Sequence, residues 1–240
     1  MTAVDVVALD ADDTLWENEV MFAAVHDRLR ELVTRYCGPD LDVDAALADV
    51  ERSNLEIFGY GVKAFTLSMI ETAITLTDSR VPAREIHEIV EWGKWILNHP
   101  VELLPGVAET VPTLASEYRL VLITKGDLLN QEAKFAGSGL ADHFDVVEIV
   151  AEKNTDTYRR VLDAHDIDPA TFVMVGNSMR SDIVPVVAIG GRAIHVAAQY
   201  TWELETVDAQ TRAAHANGYV ELDDFAALPT VLAQMADGAL

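Results

Sequence analysis

Residues 4–16, VDVVALDADDTLW, constrain this chain more than any other stretch. A short apolar run, Val6 to Leu9, breaks directly into Asp10, Asp12 and Asp13, with Thr14 behind them. Four apolar residues without polar alternation, two of them β-branched, predict a strand covered on both faces, as in the middle of a parallel sheet. The acids then sit at its carboxyl end, where open α/β sheets receive ligands. Three carboxylates within four residues repel one another and require a cation or a proton. A Mg2+ site for phosphate chemistry meets that requirement most simply. Asp also caps turns and helices, so the rest of the chain must decide.

A chain of 240 residues accommodates one large or two small domains and buries roughly 70–75% of its unfolded surface. Every apolar stretch stops short of the ~20 residues a bilayer span needs. No signal peptide is legible at the start, and the expectation is a soluble, cytoplasmic protein without a membrane partner. Cys37 is the single cysteine, which excludes an internal disulfide and a thiolate zinc cluster. A net charge of -23 argues against nucleic acid as a partner, because that needs clustered Lys and Arg. The same charge attracts cations and repels anionic substrates unless basic side chains are placed locally. Each lysine near the acids therefore matters.

After Trp16 the pattern turns helical. Val20, Met21, Val25, Leu29, Leu32, Val33 and Tyr36 share one face until Gly38 and Pro39. Further helices are predicted over 43–58 and 63–77, separated by Phe58, Gly59, Tyr60 and Gly61, and a fourth opens at Pro82. From Pro100 onward strands and helices alternate, which predicts βα units and a parallel sheet. The strands expected are 119–123, 144–150, 172–175 and 193–196, with a weaker one at 219–222; helices follow near 128–135, up to 164, around Pro185 and over 225–235. The class is α/β, a Rossmann-type parallel core of residues 1–15 and 100–240 with an all-helical insertion over 16–99.

Polar signals fall in order at four strand ends: Asp10 with Asp12, then Thr124, then Lys153, then Asn177 with Asp182. Each alone has an ordinary structural explanation. Together, in this order, they resemble the haloacid dehalogenase-like superfamily, with its helical cap inserted after the first motif. The resemblance implies an Asp10 nucleophile and an Asp12 that protonates the leaving oxygen and later activates water. It implies a Thr124 hydroxyl on a phosphate oxygen, supplemented by backbone amides at Lys125 and Gly126. Lys153 takes the place of the family's basic residue, which lets two anions meet; Lys125 competes for that role. Mg2+ is expected on Asp10, Asp12 (through its backbone carbonyl), Asn177 and Asp182. Asn177 stands where an Asp is usual; its amide oxygen still ligates a hard cation but brings no charge.

Within the superfamily that the chain resembles, an Asp two residues after the nucleophile implies phosphate rather than carbon–halogen chemistry. The expected activity is Mg2+-dependent hydrolysis of a small phosphate ester through an aspartyl-phosphate. A phosphosugar mutase and a non-catalytic ligand-binding descendant are the alternatives, and a phosphonate hydrolase would need an imine-forming lysine such as Lys63. Phe58, Tyr60 and Lys63 are the expected contacts to the leaving group. Trp92 and Trp95 are expected to pack internally, His195 to be structural or, with Trp202, to border the site. Oligomeric state is left as monomer or homodimer.

Overall fold

The computed structural model describes residues 3–237. Among them six strands form one parallel sheet in the order β3-β2-β1-β4-β5-β6. The strands are β1 (Val6–Leu9), β2 (Arg119–Lys125), β3 (Val146–Val150), β4 (Phe172–Gly176), β5 (Arg192–Val196) and β6 (Tyr219–Leu222). The helices are α1 (Glu19–Cys37), α2 (Val43–Phe58), α3 (Val62–Leu76), α4 (Ala83–Leu97), α5 (Val107–Ala115), α6 (Leu128–Gly137), α7 (Thr155–Ala164), α8 (Val184–Ala188), α9 (Ala209–His215) and α10 (Leu228–Asp237).

The pleat of β1 explains why its sequence is uniformly apolar. Val7 and Leu9 point into one core with Leu120, Leu122, Val173 and Val175, closed by α5 and α10. Val6 and Ala8 point the other way, into a core with Val121, Ile123, Phe172, Met174 and the α7 residues Tyr158, Val161 and Leu162. Successive residues of a strand face opposite sides, so a strand covered twice has no position for a polar residue until it ends. Asp10 is that end.

The chain divides into two compact units. Among the described residues the first takes 3–19, Val101–Lys125 and 131–237. The second is Val20–Pro100 together with Gly126–Asn130, a segment that sequence reading leaves in the core domain. Its interior joins Val25, Leu29 and Leu32 of α1, Leu47 of α2, Phe65 and Met69 of α3 and Ile89 of α4. Gly93 lies so close to Thr66 that a Cβ there would sit 2.2 Å from the hydroxyl, which brings α3 and α4 together.

Caps set several boundaries. Asp42 accepts from the Ala45 amide at the start of α2, and Asn154 from the Thr157 amide at the start of α7. Two helices escape the sequence pattern. α5 carries Pro112 in its interior, which interrupts the reading of its Val107, Val111 and Leu114 face, and α9 buries none of its residues. The short helix expected at Pro185 is α8, and a π-helical turn, Met179–Ile183, precedes it. No helix among the described residues is long and apolar enough to cross a membrane.

Candidate active site

The sheet reverses its order of growth at β1. β2 and β3 extend it to one side and β4 to β6 to the other, so a crevice opens at the carboxyl ends of β1 and β4. Asp10 is the first residue past β1, and its amide donates to the Val175 carbonyl at 2.9 Å. Lys153 lies three residues past β3 and is only 3% exposed. Its ammonium donates to Asp10 Oδ1 and, at 2.7 Å, to Asp182 Oδ1.

Asp182 reaches this position through local geometry after β4. Ser178 opens the π-helical turn by accepting from the Ser181 amide at 2.9 Å, and its own amide donates to Asp182 Oδ2 at 3.0 Å. A Cβ on Gly176 would lie 2.3 Å from that same oxygen. Glycine is therefore required for the carboxylate to fold back against the strand end. Irregular helical turns of this kind often mark functional positions.

Burial raises the Asp10 carboxyl; Lys153 pulls it down and the charge of Asp182 pushes it up again. Burial alone would lower Lys153, but Asp10 and Asp182 on either side outweigh it and hold the ammonium charged. Two carboxylates share one cation here, so negative charge remains for a further cation to offset. Tyr158 is fully buried; burial first, then the charges of Asp182 and Asp10, raise its phenol well above the ordinary range.

Thr14, which is not among the expected site residues, joins Asp10 and Asn177. The Thr14 hydroxyl donates to Asp10 Oδ2 at 3.2 Å and lies 3.5 Å from Asn177 Oδ1. Thr124 is buried at the penultimate position of β2, and Gly126 (φ 140°) turns the chain just beyond it. Asp12 accepts from Trp16 Nε1 at 2.7 Å, Gln131 Nε2 at 2.8 Å and Lys134 Nζ at 2.5 Å. Asp13 has φ 58° and accepts from the amides of Asn18 and Glu19; burial, then the charge of Asp12, raises it to about 7.

A family model for haloacid dehalogenase-like hydrolases matches residues 4–190. The chain belongs to this family. A haloacid dehalogenase-like family hydrolase from Xanthomonas campestris is 42% identical, with a TM-score of 0.84 over 99% of this chain and 95% of that one. A 2-haloacid dehalogenase from Pseudomonas syringae pv. tomato is 22% identical (TM-score 0.60, 97% and 99% covered). A predicted phosphoglycolate phosphatase from Haemophilus somnus is 17% identical (TM-score 0.61, 96% and 99% covered). The last two share the fold. A search of curated proteins finds no match.

In this haloacid dehalogenase-like hydrolase, where Lys153 donates to Asp10, Lys125 has other partners. It donates to Ser181 Oγ at 2.9 Å and to Glu205, whose carboxylate also accepts from the hydroxyls of Ser178 and Ser181, each at 2.5 Å. Glu205 is eighty residues away in the chain and carries no sequence signal. Lys63 is gripped by both oxygens of Asp127 at 2.9 and 2.8 Å. Phe58 is 51% exposed and Tyr60 half-buried. Trp92 packs against the helical core as expected, whereas Trp95 is 37% exposed under the Arg28 guanidinium. His195 donates from Nε2 to the Asn177 carbonyl at 2.9 Å, with Glu221 at 2.6 Å from Nδ1, a structural role for the loop after β4. Trp202 is half-buried at the start of the turn Glu203–Glu205.

Among the described residues no three His, Cys, Asp or Glu side chains form a ready metal cage. Mg2+ does not need one, since it commonly takes one or two carboxylates and completes its shell with water and substrate phosphate. Asp10 Oδ2 and Asn177 Oδ1 converge on the Thr14 hydroxyl, and Asp182 adds a second carboxylate through Lys153. By donor chemistry, all hard oxygen with residual negative charge, these residues fit Mg2+.

Proposed function

We propose that this hydrolase is a Mg2+-dependent phosphatase acting on a small phosphorylated metabolite through an aspartyl-phosphate. The observation that supports it most is the buried Asp10–Lys153–Asp182 cluster at the switch point, with a second ionisable acid, Asp12, two residues from Asp10. Asp10 attacks phosphorus, forming the acyl phosphate as the ester P–O bond breaks. Asp12 gives its proton to the leaving oxygen, then takes one from the water that releases Asp10. Lys153 pulls the Asp10 carboxyl down against its burial and neutralises the phosphoryl oxygens, and the Thr124 hydroxyl with the Lys125 and Gly126 amides orients them. When bound, Mg2+ supplies further charge neutralisation at the phosphoryl group, held by Asp10, the Asp12 carbonyl, Asn177 and Asp182. The choice of leaving group falls to Phe58, Tyr60 and Lys63 under the same proposal.

Fold likeness alone does not choose between the dehalogenase and the phosphatase among the structural neighbours. Asp12 favours the phosphatase, because carbon–halogen displacement has no leaving oxygen to protonate. The test is turnover of p-nitrophenyl phosphate and of 2-chloropropionate, with and without Mg2+, in the native chain and in Asp10→Asn. Metal-dependent phosphate release that the variant loses supports the proposal. Halide release without metal overturns it, as does phosphate release that survives in Asp10→Asn.

A further inference from the structure

The surroundings of Asp12 contain more than its expected role requires. Both of its oxygens are engaged: Oδ1 by Trp16 Nε1 and the Lys134 ammonium, Oδ2 by Gln131 Nε2. Trp16 comes from the same loop and is 1% exposed. Gln131 and Lys134 stand three apart on α6, so one helix face presents both. Gln131 is fixed further, since its Nε2 also donates to the Lys125 carbonyl at 3.1 Å. With the amide nitrogen committed twice, Gln131 Oε1 is left buried without a hydrogen-bond partner among the described residues. An unpaired buried oxygen opposes folding. The two bonds that its amide nitrogen donates, to the Asp12 carboxylate and the Lys125 carbonyl, hold Gln131 in place against that cost.

We infer that Lys134 and Gln131 are positioning residues that aim the Asp12 carboxyl at the leaving oxygen. This rests on the phosphatase reading above. Neither residue needs to touch the phosphoryl group, and their effect should grow with the leaving group's need for a proton. Proton transfer from a positioned acid is worth roughly 10²–10⁴-fold, and a misplacement of about 1 Å can cost ~10²-fold. An ester that leaves as a stable phenolate depends on this least.

The experiment compares p-nitrophenyl phosphate with unsubstituted phenyl phosphate in Lys134→Met, Lys134→Arg and Gln131→Met. In Lys134→Met, kcat is expected to fall by about 10-fold on the nitrophenyl ester and ~100-fold on the phenyl ester, with KM within about two-fold. Lys134→Arg should recover most of the loss, because it restores a cationic N–H donor. Gln131→Met should show the same leaving-group dependence in kcat, with KM within about two-fold. Equal losses on both esters, or a loss seen only as a raised KM, would overturn the inference. Asp10→Asn separates the two levels: if that variant stays active, the phosphatase reading itself has failed. If it is dead while Lys134→Met treats both esters alike, only the positioning role has failed.

Discussion

The ends of the β-strands and the interior of the helical unit are both well buried, yet they are built from opposite materials. At the strand ends Asp10, Asp182 and Lys153 are 7%, 0% and 3% exposed and are held by one another. In the helical unit Val25, Leu29, Met69 and Ile89 are fully buried, and ion pairs such as Arg30 with Asp27 and Asp44 sit outside. Burying charge is costly even when it is paired, so a fold that needs only stability fills its interior as the helical unit does. The strand ends depart from that economy in the one place where the sheet also opens a crevice.

The contrast is sharpest when one residue is removed from each region. Lys153→Met leaves two buried carboxylates without their cation, which should destabilise the α/β unit by about 3–5 kcal/mol and abolish turnover. Protonation relieves that repulsion, so the loss should be smaller at pH 5 than at pH 8 in chemical denaturation. Ile89→Ala leaves a cavity in the helical core and should cost about 2–5 kcal/mol, independent of pH. Its kcat per folded molecule should stay at the native value. A pH-independent Lys153→Met would break the comparison, because it would mean that the buried charges do not act as charges.

A smaller effect probes a half-buried carboxyl of the helical unit. Burial pushes the α2 carboxyl of Glu51 up to about 7. The folded chain therefore holds this proton more tightly than the unfolded one. Its contribution to stability is full below the ordinary 4.5 and is lost as the pH rises through about 7. Glu51→Gln should raise the melting temperature by about 2–4 °C at pH 8, a range that discounts the group for its partial exposure. It should change nothing at pH 4. A gain that is the same at both pH values would show that Glu51 is solvated like any surface acid.

Much of this was legible from residue order because it is local. The α2 boundaries follow from Asp42 and Gly59, and the β1 run announces a doubly covered strand. Asp10, Thr124, Lys153 and Asn177 could be placed at strand ends because each sits at or just past an apolar run. What was not legible depends on partners distant in the chain or on turns without a residue code. Pro112 disguised α5, since proline ordinarily interrupts helices. Nothing near Lys125 points to Glu205. Nothing near Asp12 points to Gln131 and Lys134, more than a hundred residues on, although their spacing on one helix face was visible. The π-helical turn that seats Asp182 depends on Gly176 and Ser178 acting together.

The most direct test of the central claim is to quench the enzyme with acid during turnover of a phosphate ester in Mg2+ and map the phosphoryl group by mass spectrometry. The account predicts one phosphoryl group on the peptide carrying Asp10, absent in Asp10→Asn. Turnover with no label on that peptide, or a label that persists in the variant, would contradict it.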